Sequence, residues 1–513
     1  MDYVREPLII TLFLLVAAVC KLGFHHANFL SSILPESCLL IILGTVVGAI
    51  LQRTNVAIVT LSPRLFFLFL LPPIILESAF SLHDRVFFDN LGTILIYAVI
   101  GTVINCFIIG PTLYGLAKIG AMGTIHITMV QCLVFSSLIV AVDPVAVLAI
   151  FQEIGVNNVL YFLVFGESLL NDAVTVVLYN MMKVFNEMDV IPVEQMLLGV
   201  ASFFTISLLG LSIGILFGIL TAIITKFTES VRVVEPLAVF ALAYSAYLFA
   251  ELFHFSGIIS IIGCGLVQAQ YSFHNISQKS LTTVTYFSKM LSSMCDCVIF
   301  MFLGLALVHD KHVWHTGFIL WVNLLCFVSR FVVVYALTFV ANRWYRMRTI
   351  DWEEQFIMAY GGLRGAVAFC LVAMLSKESL ELRDLFETTT LSVIIFTVFI
   401  QGISIKPLVR LLRIQRKDAV AISLYQEINV HVTDHVMAGI EEIIGRHGAN
   451  YFRVSRPGSA SRHDRPCNVG ICRRCWIALM ENISNIGCSG LHKLRMIASW
   501  KCTNKLLCSA WLL

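Results

Sequence analysis

Apolar residues in this chain come in long blocks separated by short polar links. The blocks fall near residues 8–22, 33–51, 62–80, 87–115, 126–152, 157–184, 196–225, 234–253, 255–270, 284–308, 314–341, 353–376 and 385–412. A helix needs about 20 apolar residues to cross the hydrocarbon core of a bilayer. Backbone polar groups in that core must find partners within the chain, which leaves helices and closed barrels as the only spanning structures. Blocks of this length predict helices, so the chain reads as an all-α polytopic membrane protein with about thirteen transmembrane helices. The first block begins after only seven residues and has no small-residue cleavage site behind it, so it reads as a first span rather than a signal peptide. Spans eight and nine are separated only by Phe253, His254, Phe255 and Ser256.

Composition supports the pattern and divides the chain. Hydrophobic residues make up 58% of the 513 and charged residues 13%, with a mean hydropathy of +0.87. Soluble domains carry about 25% charged residues, so a water-soluble enzyme is excluded. The net charge of +3 conceals two unlike pieces. Residues 453–513 hold 10 Lys/Arg and 2 Asp/Glu, leaving −5 for residues 1–452. Of 15 cysteines, six lie between Cys467 and Cys508, and the other nine sit in or beside apolar blocks as small buried hydrophobes. The expected organisation is a membrane domain over 1–412, a juxtamembrane regulatory segment over 413–452, and a divergent basic, cysteine-rich tail over 453–513.

Basic residues favour the cytoplasmic side of a membrane. The link containing Arg343, Arg346 and Arg348 and the segment containing Lys406, Arg410, Arg413, Arg416 and Lys417 are both basic. With thirteen spans they lie on one side, so the C-terminus is expected in the cytoplasm. The sequon at Asn275–Ser277 then also faces the cytoplasm, where no glycosylation is expected.

Ionisable residues at membrane depth are expensive and are functional hypotheses by default. They are Glu77, Asp143, Glu167, Asp172, Glu251, Asp296, Arg330 and Arg364. A structural reading pairs the acids with Arg330 and Arg364. Asp143 stands apart because Pro144 follows it, and proline removes a backbone donor and opens a helix. Span twelve has a matching weak point, where Gly361, Gly362 and Gly365 surround Arg364. Spans five and twelve are seven apart and so run in opposite directions. Interrupted helices at matching positions of two inverted halves point to the central site of a transporter. Spans one to six and eight to thirteen form those halves, and alternating access is preferred to a channel.

Span six adds a dense polar patch. Glu167 and Asn171 share one helix face at i, i+4, and so do Ser168 and Asp172. A carboxylate can hold a sodium ion or a proton, and competition between them for one site gives exchange. The bland alternative is a set of interhelical hydrogen bonds.

These residues closely resemble the eukaryotic sodium/proton exchangers of the monovalent cation:proton antiporter superfamily, in the plasma-membrane branch. The matching pieces are Pro35–Leu39, Leu71–Leu76, Val142–Val145, Phe165–Tyr179, Phe255–Ile258 in outline and Tyr360–Phe369. They run in family order across residues 8–452. The resemblance implies a thirteen-helix fold with six-helix inverted repeats, crossed discontinuous helices at spans five and twelve, a homodimer interface and a mobile core. It implies that Asp172, with Asn171 beside it and Asp143 and Ser168 nearby, carries sodium or the proton. Glu167 pairs with Arg330, Arg364 compensates helix ends, and Asp296 belongs to the same charge set. Phe66, Phe67 and Leu68 match positions lining the ion path and the amiloride-type inhibitor region. Asn171 cannot titrate, so one exchangeable charge and electroneutral one-for-one exchange are expected. The family usually has Asp where this chain has Glu77 and Glu where it has Asp296, which bears on inhibitor sensitivity and pH set point.

Residues 406–417 form a juxtamembrane basic cluster suited either to anionic lipid or to simple anchoring. Beyond it, Val432, Val436, Ile440 and Ile443 form one apolar face over 427–445. This stretch resembles the family's binding site for a calcineurin-B-like EF-hand protein. His431 and His435 are read as a solvated face rather than a metal site. After Phe452 the resemblance stops. Cys467, Cys472, Cys475, Cys488 and His492 have irregular spacing for zinc, and lipidation of these cysteines is a second possibility. The tail reads as a variant end with no settled fold.

The expected function is exchange of extracellular Na+ for intracellular H+ at the plasma membrane, regulating cell pH and sodium. Potassium/proton exchange and a non-transporting scaffold with the same fold are the alternatives, and Li+ is a further candidate ion. No Ser-His or metal-ligand set recurs at membrane depth, so neither enzymatic activity nor a cofactor is expected. Nucleic acid is not an expected partner.

Overall fold

In the computed structural model the described residues are scattered positions between 11 and 26, and then 34–54, 62–123, 126–143, 145–188, 192–228, 232–308, 312–344, 349–375 and 382–412. The stretch over 427–445 expected to receive an EF-hand protein, the basic positions beyond Leu412 and the cysteine-rich tail lie outside them, as does Pro144.

The described chain is helical throughout its long elements. In order they are α1 (Glu36–Arg53), α2 (Pro63–Ser81), α3 (Val86–Ile119), α4 (Met129–Ile139), α5 (Val145–Ile154), α6 (Asn158–Asn186) and α7 (Val193–Lys226). They continue as α8 (Val234–Leu252), α9 (Gly257–Val267, running on through 268–275), α10 (Gln278–Ala306), α11 (Thr316–Trp344), α12 (Trp352–Tyr360), α13 (Ala366–Ala373) and α14 (Arg383–Leu411). Nine of the described helices are long and apolar enough to cross a bilayer. Each sequence span from the second onward has a counterpart, with spans five and twelve each split into two half-helices, α4/α5 and α12/α13. The first span, 8–22, falls mostly outside the described residues.

Local signals explain where the broken helices begin. α4 opens with a capping box in which Thr128 and Gln131 satisfy each other's backbone N–H groups. α12 opens the same way with Asp351 and Glu354. Each half-helix then ends where the backbone leaves helical geometry, over 140–143 and 361–365.

The helices pack as two groups. One contains α1, α2, α7, α8, α9 and α10, and the other contains α3, α4, α5, α6, α11, α12, α13 and α14. Small residues set the closest approaches, as expected where lipid supplies no hydrophobic drive between helices. A Cβ on Gly44 of α1 would come within 2.2 Å of the Met301 carbonyl oxygen on α10. On Gly214 of α7 it would meet the Ser260 carbonyl oxygen of α9 at 2.0 Å. Gly210 and Gly218 flank Gly214 at four-residue intervals and make similar contacts with α9. Many apolar side chains of α7 point outward, among them Leu197, Leu208 and Leu216, as a lipid-facing surface requires. The described cysteines at 38, 106, 132, 264, 295, 297, 326 and 370 are free and buried.

Candidate functional site

The two helix breaks meet. The Asp143 backbone N–H donates to the Leu363 carbonyl at 2.8 Å, tying the extended segment of span five to that of span twelve. Gly365 makes this crossing possible, since a Cβ there would stand 2.4 Å from Oδ2 of Asp143.

Interrupting a helix exposes carbonyls that a continuous helix would satisfy. The guanidinium of Arg364, 2% exposed, donates to the carbonyls of Val140 at 2.6 Å and Ala141 at 3.3 Å. The Ser168 hydroxyl covers the Val142 carbonyl at 2.7 Å. Arg364 therefore places a positive charge at the C-terminal, negative end of α4. Its own N–H reaches the Thr397 hydroxyl at 3.2 Å. At the equivalent end of α12, Arg330 donates to the Met358 carbonyl at 3.4 Å. The same guanidinium meets Glu167 of α6 at 2.5 Å, with side-chain exposures of 8% and 3%. Each broken helix thus ends against a buried arginine.

α6 brings the polar patch to the crossing. Asn171 is buried; its side-chain oxygen accepts from Thr175 at 2.9 Å, which turns its amide NH2 toward the Val140 carbonyl, 3.5 Å away. Asp172 lies within electrostatic reach of Asp143. Asp296 of α10 lies within electrostatic reach of Asp143, Lys21 and Glu77. Glu77 accepts from Ser81 at 3.0 Å. Glu251 stands elsewhere and accepts from the Gly257 N–H at the start of α9, at 3.1 Å.

The crossing therefore gathers carboxylates, hydroxyls and backbone carbonyls around a protein-lined break. Hard cations take oxygen ligands of this kind, and carboxylates also take protons. A small cavity beside it, lined by Asn323, Cys326, Arg330, Gly362, Arg364, Thr397 and Gln401 among others, has room for about one water.

Other sequence candidates lie on α2 and α14. Phe66, Phe67 and Leu68 lie in a π-helical turn of α2, and Phe66 is buried at 1% exposure, packed edge-on to Phe67. Lys406 of the basic cluster is engaged within the fold. It is 6% exposed and both carboxylate oxygens of Glu153, on α5, hold its ammonium at 2.6 and 2.8 Å. Arg410 is the basic position of that cluster left exposed among the described residues. Two contributors escaped sequence reasoning. Thr397 looked like one threonine among many in span thirteen. Thr175 is four residues beyond Asn171, a spacing that could have flagged it.

Two interrupted spans that cross at their breaks, each ending against a buried arginine, form the frame of the site. The structure of the sodium proton antiporter MjNhaP1 from Methanocaldococcus jannaschii shares this fold, with a TM-score of 0.59 at 17% identity over 80% of this chain and 97% of that one. The family profile described as "Sodium/hydrogen exchanger, transmembrane" matches residues 14–411. The Na(+)/H(+) exchanger beta of Oncorhynchus mykiss is 46% identical over 452 residues, 88% of this chain and 59% of the relative. Sodium/hydrogen exchanger 2 of Oryctolagus cuniculus is 46% identical over 459 residues, covering 88% and 56%. Sodium/hydrogen exchanger 3 of Mus musculus is 45% identical over 455 residues, covering 88% and 55%. The chain belongs to the sodium/hydrogen exchanger family, and it spans little more than half the length of these curated relatives.

Proposed function

We propose that this chain exchanges sodium for protons across a membrane by alternating access, one ion for one proton. The observation that carries the reading is the crossing itself. Asp143, Asp172 and Glu167 bring three negative charges to it, and Arg330 and Arg364 bring two positive ones. One negative charge remains, and a single sodium ion or a single proton neutralises it. A low-dielectric site disfavours an uncompensated charge, so the loaded states are the ones that can move. Asp172 is the carboxylate that carries the ion, with Asn171 oriented beside it and Asp143 and Ser168 at the break. Arg330 with Glu167, and Arg364, hold the broken helices in place. The names of the relatives favour sodium over potassium as the cation.

The same reading extends to context. Extracellular sodium enters and protons leave at the plasma membrane, with the C-terminus in the cytoplasm and the chain acting as a homodimer. Residues 1–412 form the transport domain and 413–452 the regulatory segment, whose apolar face at Val432, Val436, Ile440 and Ile443 receives a calcineurin-B-like protein. The basic cluster over 406–417 meets anionic lipid, with Lys406 itself paired to Glu153.

The test is recovery from an acid load in cells lacking their own exchangers. The wild-type chain should restore internal pH when sodium, but not potassium, is added outside. Asp172→Asn should abolish recovery at unchanged surface level. Normal recovery in that variant would refute the site, and a rate that follows membrane voltage would refute one-for-one exchange.

A further inference from the structure

α2 is not a regular helix. From Phe66 to Leu70 it widens into a π-turn, a feature that accommodates one extra residue and recurs at functional sites. The Leu71 N–H bonds the Phe66 carbonyl in this turn; in the same register the carbonyls of Phe67 and Leu68 would look to Pro72 and Pro73, which have no N–H to give, and α8 takes both. The Tyr247 hydroxyl donates to the Phe67 carbonyl at 2.8 Å, and the Tyr244 hydroxyl donates to the Leu68 carbonyl at 3.0 Å. Tyr247 is 1% exposed, and its ring lies so close to Gly257 that a Cβ there would come within 2.8 Å of Cε2. Glu251 fastens the same place by accepting the Gly257 N–H. α8, the start of α9 and the π-turn are thereby joined within the first helix group. The residues immediately before the π-turn, Pro63–Leu65, pack against α13 of the second group. α13 is the half-helix that follows the break at Gly365, so the π-turn sits where the two groups meet.

We propose that Tyr244 and Tyr247 are positioning residues for exchange: Tyr247 holds the Phe67 carbonyl that a regular helix would give to the Leu71 N–H and so keeps the π-turn open, and Tyr244, on the Leu68 carbonyl, holds α2 in register against α13. Collapse of the π-turn to a regular helix would rotate every preceding residue of α2 by about 100° and withdraw Phe66 from its buried seat. The predicted consequence is a change in apparent sodium affinity on the side where α2 begins. This inference rests on the exchange reading above.

The experiment uses the full chain in exchanger-deficient cells, with Tyr247→Phe, Tyr244→Phe and the double variant, and rates normalised to surface protein. Each substitution removes one hydroxyl and leaves the ring. The expected result is a rise in KM for external sodium of roughly three- to ten-fold per hydroxyl, the worth of one net hydrogen bond. The maximal rate and the internal proton dependence should stay unchanged. An unshifted KM, or a loss confined to surface level and maximal rate, overturns the proposal. Tyr244 is half-buried and its variant is the milder one, so it remains informative should Tyr247→Phe misfold. If the wild-type chain itself shows no sodium-driven recovery, the exchange reading fails first; wild-type activity with unshifted variants removes the positioning role alone.

Discussion

Removing the Glu167 carboxylate isolates a guanidinium deep in the helix bundle. Arg330 meets that carboxylate at 2.5 Å, and the two side chains are 8% and 3% exposed. Among the described residues its remaining hydrogen bond is one of 3.4 Å to the Met358 carbonyl, and its Nε has no partner. The backbone at Gly362 closes over it, with room so limited that a Cβ would come within 2.9 Å of Nε. Little water can reach the charge once its partner is gone. Breaking a buried ion pair by deleting one member typically costs about 3–5 kcal/mol, whereas replacing both members by apolar or neutral groups can be nearly neutral. Glu167→Gln and Arg330→Met should therefore each lose about 3–5 kcal/mol. The double variant should lose clearly less than their sum, with a coupling of about 2 kcal/mol. Reversible SDS unfolding of the purified chain in mixed micelles measures all three. Single losses below about 1 kcal/mol, or losses that simply add, would refute the reasoning that this pair holds the crossing together.

Other substitutions test separate parts of the structure. Gly365→Ala should disrupt the crossing, because its Cβ would overlap Asp143 at 2.4 Å; transport should fall steeply while Gly115→Ala, at a position with nothing near its Cβ, leaves it intact. Gly214→Leu should destabilise the α7–α9 contact by about 1–3 kcal/mol or more, seen as a lower unfolding midpoint. Arg364→Gln keeps a donor but removes the charge at the end of α4, and should reduce exchange more than it reduces surface level. Lys406→Gln should leave binding to anionic vesicles unchanged, since the ammonium is already held by Glu153; weaker binding in a vesicle-flotation assay would restore the lipid role.

Much of this architecture was legible in the order of residues. Long apolar blocks force helices because lipid offers the backbone no other partner. Asp143-Pro144 and the glycines around Arg364 marked both breaks, since proline withholds a donor and glycine lets the chain leave helical geometry. The seven-span offset implied that the interrupted helices run in opposite directions. The repeated capping boxes at Thr128/Gln131 and Asp351/Glu354 were equally readable, though their meaning as matched half-helix starts emerged only once both helices were in view.

Partner choice was a different matter. The residues alone left the partner of Arg364 open, and only the family resemblance pointed to helix ends; in the fold it donates to the carbonyls of Val140 and Ala141. Lys406 looked like part of a surface cluster, and it is buried against Glu153 from a helix some 250 positions away. Pro72 and Pro73 marked α2 as short of backbone donors, but nothing in the local pattern named the tyrosines of α8 that hold its carbonyls. The chain's composition and periodicity determined by themselves that it spans a membrane, where its helices break and which charges are costly. Which charge meets which oxygen was decided only by tertiary packing, because a buried ion takes whatever partner the crossing of helices brings within about 3 Å, and that geometry is set by contacts hundreds of residues apart.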